Sequence, residues 1–220
     1  MTWRLCVAAF VIAGACLAYA TVHEANRLSL TTPTPPEVAA DWIVRKAPDE
    51  KGRHASFRIL LLTDEFRWQL SSSKSVEEFG VTPAFTPQMK AALNRAEEII
   101  CVGASSEEIV PGLTAAAGRT YEEGRAARRA GRIAQWVRGA LEQPIPIRKL
   151  NAGHHVATGS AATSDQRRVV IVLVLERDEG TNIDEALRAG MMRERTRAPI
   201  FEALLTRYSL VGGKTFTWVE

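Results

Sequence analysis

The chain has 220 residues, with Lys+Arg 28 against Asp+Glu 25 and a net charge of +3. That length holds one domain of ordinary size plus appendages, with enough chain to bury a core. So mild a charge excludes a polycation built to hold nucleic acid, although the arginines are locally dense.

The stretch Leu5 to Ala20 carries no charge and follows only Met-Thr-Trp-Arg. It has no polar face at helical spacing, so residues 1–22 read as an export signal or a short membrane anchor. Ala18-Tyr19-Ala20 fits the small-x-small rule for cleavage before Thr21. Uncleaved, Leu5 to Val22 gives 18 residues, a marginal bilayer span. Cys16, after Ala13-Gly14-Ala15, offers a third outcome, lipidation. Each outcome puts the rest of the chain outside the cytoplasm, because Arg4 keeps the amino terminus on the inner side. Cys6 and Cys16 belong to this leader, leaving Cys101 alone and excluding an intramolecular disulfide in the mature part. Cys101 lies in the apolar run Ile99-Ile100-Cys101-Val102 and reads as a buried, inert thiol.

Residues 23–55 read as a linker, with Pro33, Pro35, Pro36 and Pro48 and the charged run Asp49-Glu50-Lys51. Within it, Val38 to Val44 with Trp42 is a short piece able to dock. Phe57 to Leu62 is a strand that can extend toward Trp68. After a loop marked by Ser71-Ser72-Ser73, Pro83 and Pro87, Thr86-Pro87 supplies the cap and first-turn proline of a helix. Its apolar face is Met89, Ala92, Leu93 and Ala96. Ile99 to Val102 is a second strand, and a loop with Pro111, Gly112 and Gly118 leads to a helix over about Thr120 to Leu141. Pro144 and Pro146 end it. A strand over Ile147 to Val156 and a Gly159-Ser160 loop follow. The β-branched run Val169 to Leu175, without alternation, predicts a central strand buried on both faces. The order is β-α-β-α-β-β, an α/β sandwich with helices on one face of a mixed sheet. Residues 179–220 read as an extension, helical over Thr181 to Arg195 and Pro199 to Tyr208, with a short strand at Thr215 to Val219.

The long helix is the most informative element. At about 100° per residue, Ala126, Ala130, Ile133, Val137 and Ala140 form one narrow apolar stripe. Arg129 falls at its edge, flanked by Arg125, Arg132 and Trp136. A guanidinium held there can face a pocket and take a carboxylate with two parallel hydrogen bonds. The plainer alternative is a solvated arginine face.

Three segments of the region from about Phe57 to Arg177 resemble the OmpA-like domain, the peptidoglycan-binding module of bacterial envelope proteins. Thr86 to Leu93 resembles the family's first helix. Tyr121 to Ala130 keeps Tyr121, Arg128, Arg129 and Ala130 of its tyrosine-asparagine-x-x-leucine-serine-x-arginine-arginine-alanine segment. Gln166-Arg167-Arg168-Val169 is similar to the asparagine-arginine-arginine-valine signature opening the last strand. The resemblance implies that residues 56–178 form the domain, that it lies in the periplasm, and that it associates non-covalently with the peptidoglycan stem peptide. In the family an aspartate and the helix arginine clamp the diaminopimelate residue. Arg129 occupies the arginine position, but the aspartate is Ser106 here, the motif asparagine is Glu122, and the leucine-serine pair is Arg125-Ala126. The loop from Glu107 to Arg119 is expanded. Candidate binding residues are therefore Arg129, Ser106, Arg125, Arg168 and Glu107, with Glu107 or Glu108 able to replace the lost acid.

Two functions follow from so divergent a site. Either the domain binds wall peptide through Arg129, with Arg168 and a nearby Glu in support, or it has become a wall-independent interaction or assembly subunit of an envelope-spanning complex. Partners are then the stem peptide, other envelope proteins, and the inner membrane if the leader is retained. Proton conduction is disfavoured because Leu5 to Val22 holds no carboxylate. Nothing implies a cofactor or an enzyme. His154-His155 would point to opposite faces of a strand, so they cannot share a metal. Ser160 and Ser164 lack a nucleophile-elbow context, and no phosphate loop is present.

Overall fold

The computed structural model describes residues 38–62, 67–74, 85–107, 111–156, 163–211 and 215–220. The leader, Pro83 and the Gly159-Ser160 loop lie outside them. Residues Pro35 to Glu220 form one compact unit. Its strands are β1 (Val38–Pro48), β2 (His54–Leu62), β3 (Glu98–Ser105), β4 (Ile147–His154), β5 (Val170–Arg177) and β6 (Thr217–Val219). Its helices are α1 (Pro87–Leu93), α2 (Ala115–Ala140), α3 (Ile183–Glu194) and α4 (Pro199–Thr206), with a 3-10 turn at Ser164–Arg167.

The strands make one mixed sheet in the order β1-β2-β5-β3-β4-β6. Only β3 and β4 run parallel, and α2 is the crossover that such a pair requires. The β2-α1-β3-α2-β4-β5 order is the expected β-α-β-α-β-β sandwich, and the fold class is α+β. Strand β5 is third of six and buried through Val174. Its Ile171 and Leu173 face one core with Leu93, Ile133 and Val137 of α1 and α2. Its Val170, Val172 and Val174 face a second core with Leu187, Met191, Phe201 and Leu205 of α3 and α4. Both faces are covered, so the run is apolar throughout and does not alternate.

Two boundaries drawn from the sequence are corrected. The segment read as linker, residues 23–55, contains β1, which pairs antiparallel with β2 from Val38↔Leu62 to Pro48↔His54. The pattern Ala40, Trp42, Val44 is period-two and puts these side chains toward the second core, whereas Val38, beyond a shift in register, packs against the first. Residues 179–220 are likewise no appendage. They supply the whole helical cover of that core, and β6 pairs with β4. The limits 56–178 therefore cut through a single unit.

Two close packings hold α3 to this face. A Cβ at Gly190 would lie 2.7 Å from Cγ1 of Val44, so α3 sits directly on β1. At the β1–β2 turn, Asp49 accepts from the Lys51 and Arg53 amides, both at 2.9 Å, and from the Asn182 amide at 3.0 Å. Asn182 is itself the cap of α3, its side chain accepting from the Asp184 and Glu185 amides. One carboxylate thus ties the hairpin to the start of the C-terminal helices.

Candidate functional site

The residues singled out on α2 meet the carboxyl end of β3 across an unusually short gap. A Cβ on Gly103 would fall 2.0 Å from the Ala126 carbonyl oxygen and 2.5 Å from the Ala130 nitrogen. Only a glycine lets the helix rest backbone-on-backbone there. This approach lowers the whole helix face toward the sheet. The buried face is accordingly wider than the apolar stripe, taking in Glu122, Arg125, Arg129 and Trp136. Helix α2 also starts at Ala115 with Thr114 as its cap, so the last part of the loop read as expanded, from Ala115 to Arg119, is an extra helical turn.

Arg129 is 0% exposed. Its Nε donates to the Ser72 carbonyl at 2.8 Å, and its terminal nitrogens donate to the carbonyls of Ala104 at 2.9 Å and Gln69 at 3.4 Å. Its guanidinium lies 5.4 Å from the centroid of Trp68, which stacks on Trp136 at 5.2 Å. The side chain placed at the stripe's edge thus lies inside the protein, and its donor fork is spent on main-chain carbonyls. The cause is tertiary: the segment 67–72, far away in sequence, closes over it. Among the described residues, this segment supplies two of the three carbonyls.

One turn earlier, Arg125 pairs with Glu122 at 3.0 Å, both side chains buried. Glu122 also accepts a very short hydrogen bond from the Ser105 hydroxyl. The glutamate in the asparagine position therefore serves a buried arginine of its own helix. Ser106, in the aspartate position, is fully buried beside them. Outside this layer, Tyr121 is 45% exposed and carries the Arg125 and Arg128 guanidinium groups at 5.2 and 5.6 Å from its ring centre.

The structure brings Arg129, Arg125 and the Ser105-Ser106 strand end together, and leaves Arg168 and Glu107 elsewhere. Glu107 is exposed, and its amide donates to the Gln166 side-chain oxygen at 2.9 Å. Arg168 lines a cavity of about 490 Å3 between α4 and the β1–β2 edge, whose described walls include neither Arg125 nor Arg129. That cavity was not legible from spacing, because its walls come from β1, β2, the 3-10 turn and α4. Trp42 was the one signal, a lone large ring in an alternating apolar piece.

The two histidines part as their strand position requires. His154 Nδ1 lies 3.5 Å from Glu123, whereas His155 meets the Tyr208 ring edge-on at 5.3 Å. Cys101 is buried, and burial pushes its thiol far above the ordinary range. Among the described residues no helix is long and apolar enough to cross a membrane.

No protein-family model matches the sequence, and no curated protein matches it. Among solved structures, the chain is similar to the OmpA-like domain of FopA1 from Francisella tularensis subsp. tularensis SCHU S4. Identity there is 10%, coverage is 67% of this chain and 99% of that one, and the TM-score is 0.34. It is also similar to the periplasmic domain of MotB, at 12% identity, with 80% and 92% of the two chains covered and a TM-score of 0.31. Superpositions this loose leave the site to be argued from the chain's own residues.

Proposed function

We propose that this is a non-enzymatic bacterial envelope protein whose α+β body is a wall-independent interaction module, facing the periplasm behind its apolar leader. The export-type leader and the resemblance of Tyr121–Ala130 and Gln166–Val169 to the OmpA-like segments support the envelope setting. One observation carries the choice between the two functions: Arg129 is completely buried, with its donors on three main-chain carbonyls. A stem-peptide carboxylate would have to displace those bonds and open the 67–72 segment. The acid that would hold the amino group is replaced by the buried Ser106, and Glu122 is engaged by Arg125 and Ser105.

Co-sedimentation of the full-length chain, in mild detergent, with purified diaminopimelate-type peptidoglycan tests this reading. The protein should stay in the supernatant. Saturable sedimentation that free diaminopimelate-containing muropeptide competes away would overturn it and restore the wall-binding reading.

A further inference from the structure

The cavity beside α4 has the chemistry of a ligand site, and its description does not depend on the envelope reading. Its apolar walls are Trp42, Leu61, Ile200 and Ala203. Its polar end is where Tyr208 touches both His155 and Gln166, beside Arg207, and Arg168 and Glu202 are also among the walls. The volume, about 490 Å3, lies within the range of small-molecule pockets.

The polar end has unspent donors. Arg207 is exposed, and its guanidinium has no hydrogen-bond or ion-pair partner among the described residues. The oxygen of Gln166 takes the Glu107 amide, which leaves its NH2 group to donate outward. His155 is buried against Tyr208, and its Nδ1 makes no hydrogen bond. Burial, reinforced by Arg207 and opposed by Glu107, holds the imidazole pKa below its ordinary value. Arg207 thus keeps its whole guanidinium for a ligand, and such a fork matches a carboxylate with two parallel bonds.

We propose that the cavity between α4 and the β1–β2 edge binds an apolar group ending in a carboxylate, with Arg207 and Gln166 on the carboxylate and Trp42 and Ile200 on the apolar part. Such a group occurs as a free apolar acid or as the carboxyl terminus of a peptide with an apolar last residue. The two sources share this chemistry and differ in the amide next to it.

Calorimetric titration of the full-length chain in mild detergent with 4-phenylbutyrate and with N-acetyl-Ala-Ala-Phe distinguishes them. Each probe is paired with its uncharged amide. At least one acid should bind, and the better binder identifies the source. Its amide should bind about tenfold or more weakly, as should the acid to Arg207→Gln, because a charge-assisted hydrogen bond is lost. Ala203→Trp keeps every charge and fills the apolar part, and it should abolish binding. Arg207 is exposed and Ala203 half-buried on α4, and circular dichroism of both variants verifies that the fold is kept. If neither acid binds the native chain, or if binding is unchanged in both variants, the proposal is overturned.

Discussion

Replacing Arg129 with methionine separates a structural arginine from a ligand-binding one. Methionine keeps an unbranched stem against Trp68 but removes every donor. The carbonyls of Ser72 and Ala104 then lose bonds of 2.8 and 2.9 Å, and Gln69 loses a longer one of 3.4 Å. Leaving a buried acceptor unmet costs about 1–3 kcal/mol. The buried Ala104 bond alone therefore puts the loss at about 1–3 kcal/mol, and the half-buried Ser72 bond adds to it, against a typical stability of about 5–15 kcal/mol. The cation-π contact with Trp68 adds to it. Lysine in place of Arg129 keeps the charge but lacks the planar fork, so it should recover only part of the loss. Urea unfolding followed by tryptophan fluorescence measures both variants, and the Trp68–Trp136 stack reports on the site directly. A Met variant within about 0.5 kcal/mol of the native chain, the ordinary scatter of surface substitutions, would refute the reasoning. It would mean that the guanidinium is dispensable to the fold and available to a ligand.

Gly103→Ala places a Cβ 2.0 Å from the Ala126 carbonyl oxygen, a backbone atom that can yield only if α2 moves. It should destabilise by about 1–3 kcal/mol or more in the same urea assay. Ile171→Asp puts an unpartnered carboxylate into the middle of β5, and loss of the cooperative unfolding transition is expected. Asp49 is under opposed influences, since burial raises its pKa while hydrogen bonds from Asn182 and Arg53 lower it; the bonds prevail and hold it well below the ordinary carboxylate range. Its contribution to stability is therefore complete above the unfolded value and lost as pH falls through the folded one. The thermal midpoint should drop on acidification below about pH 4, more steeply in the native chain than in Asp49→Asn; equal slopes would contradict this role.

Strand β5 and helix α1 were legible because local signals determine them. The run Val169 to Leu175 admits no amphipathic reading, and Thr86 does cap α1, its hydroxyl accepting from the Met89 amide at 3.2 Å. Strand β1 was legible in part: Val38, Ala40, Trp42 and Val44 alternate, but the prolines before and after them outweighed that pattern. The C-terminal helices were placed correctly along the chain. Their role was not, although a strand apolar on both faces needs cover on both, and α1 and α2 can cover only one. The burial of Arg129 had no local signature at all. Helical spacing puts it at the edge of a stripe, and two features of the assembled fold bring it inside. Gly103 lets α2 sink onto β3, and the carbonyls of Gln69 and Ser72 arrive from a segment some sixty residues earlier. The pairing of Glu122 with Arg125 was readable as an i, i+3 contact, but nothing local says that it is buried. The cavity beside α4 escaped for the same reason, being assembled from four separate elements.

The central claim is that the Arg129 guanidinium is an internal strut. It is tested most directly by following the arginine Nε–H signals of the 15N-labelled full-length chain in detergent, with Arg129 assigned through Arg129→Lys. The Arg129 Nε–H should exchange slowly with solvent and should not shift when diaminopimelate-containing muropeptide is added. A rapidly exchanging signal that moves on titration with the muropeptide would contradict it.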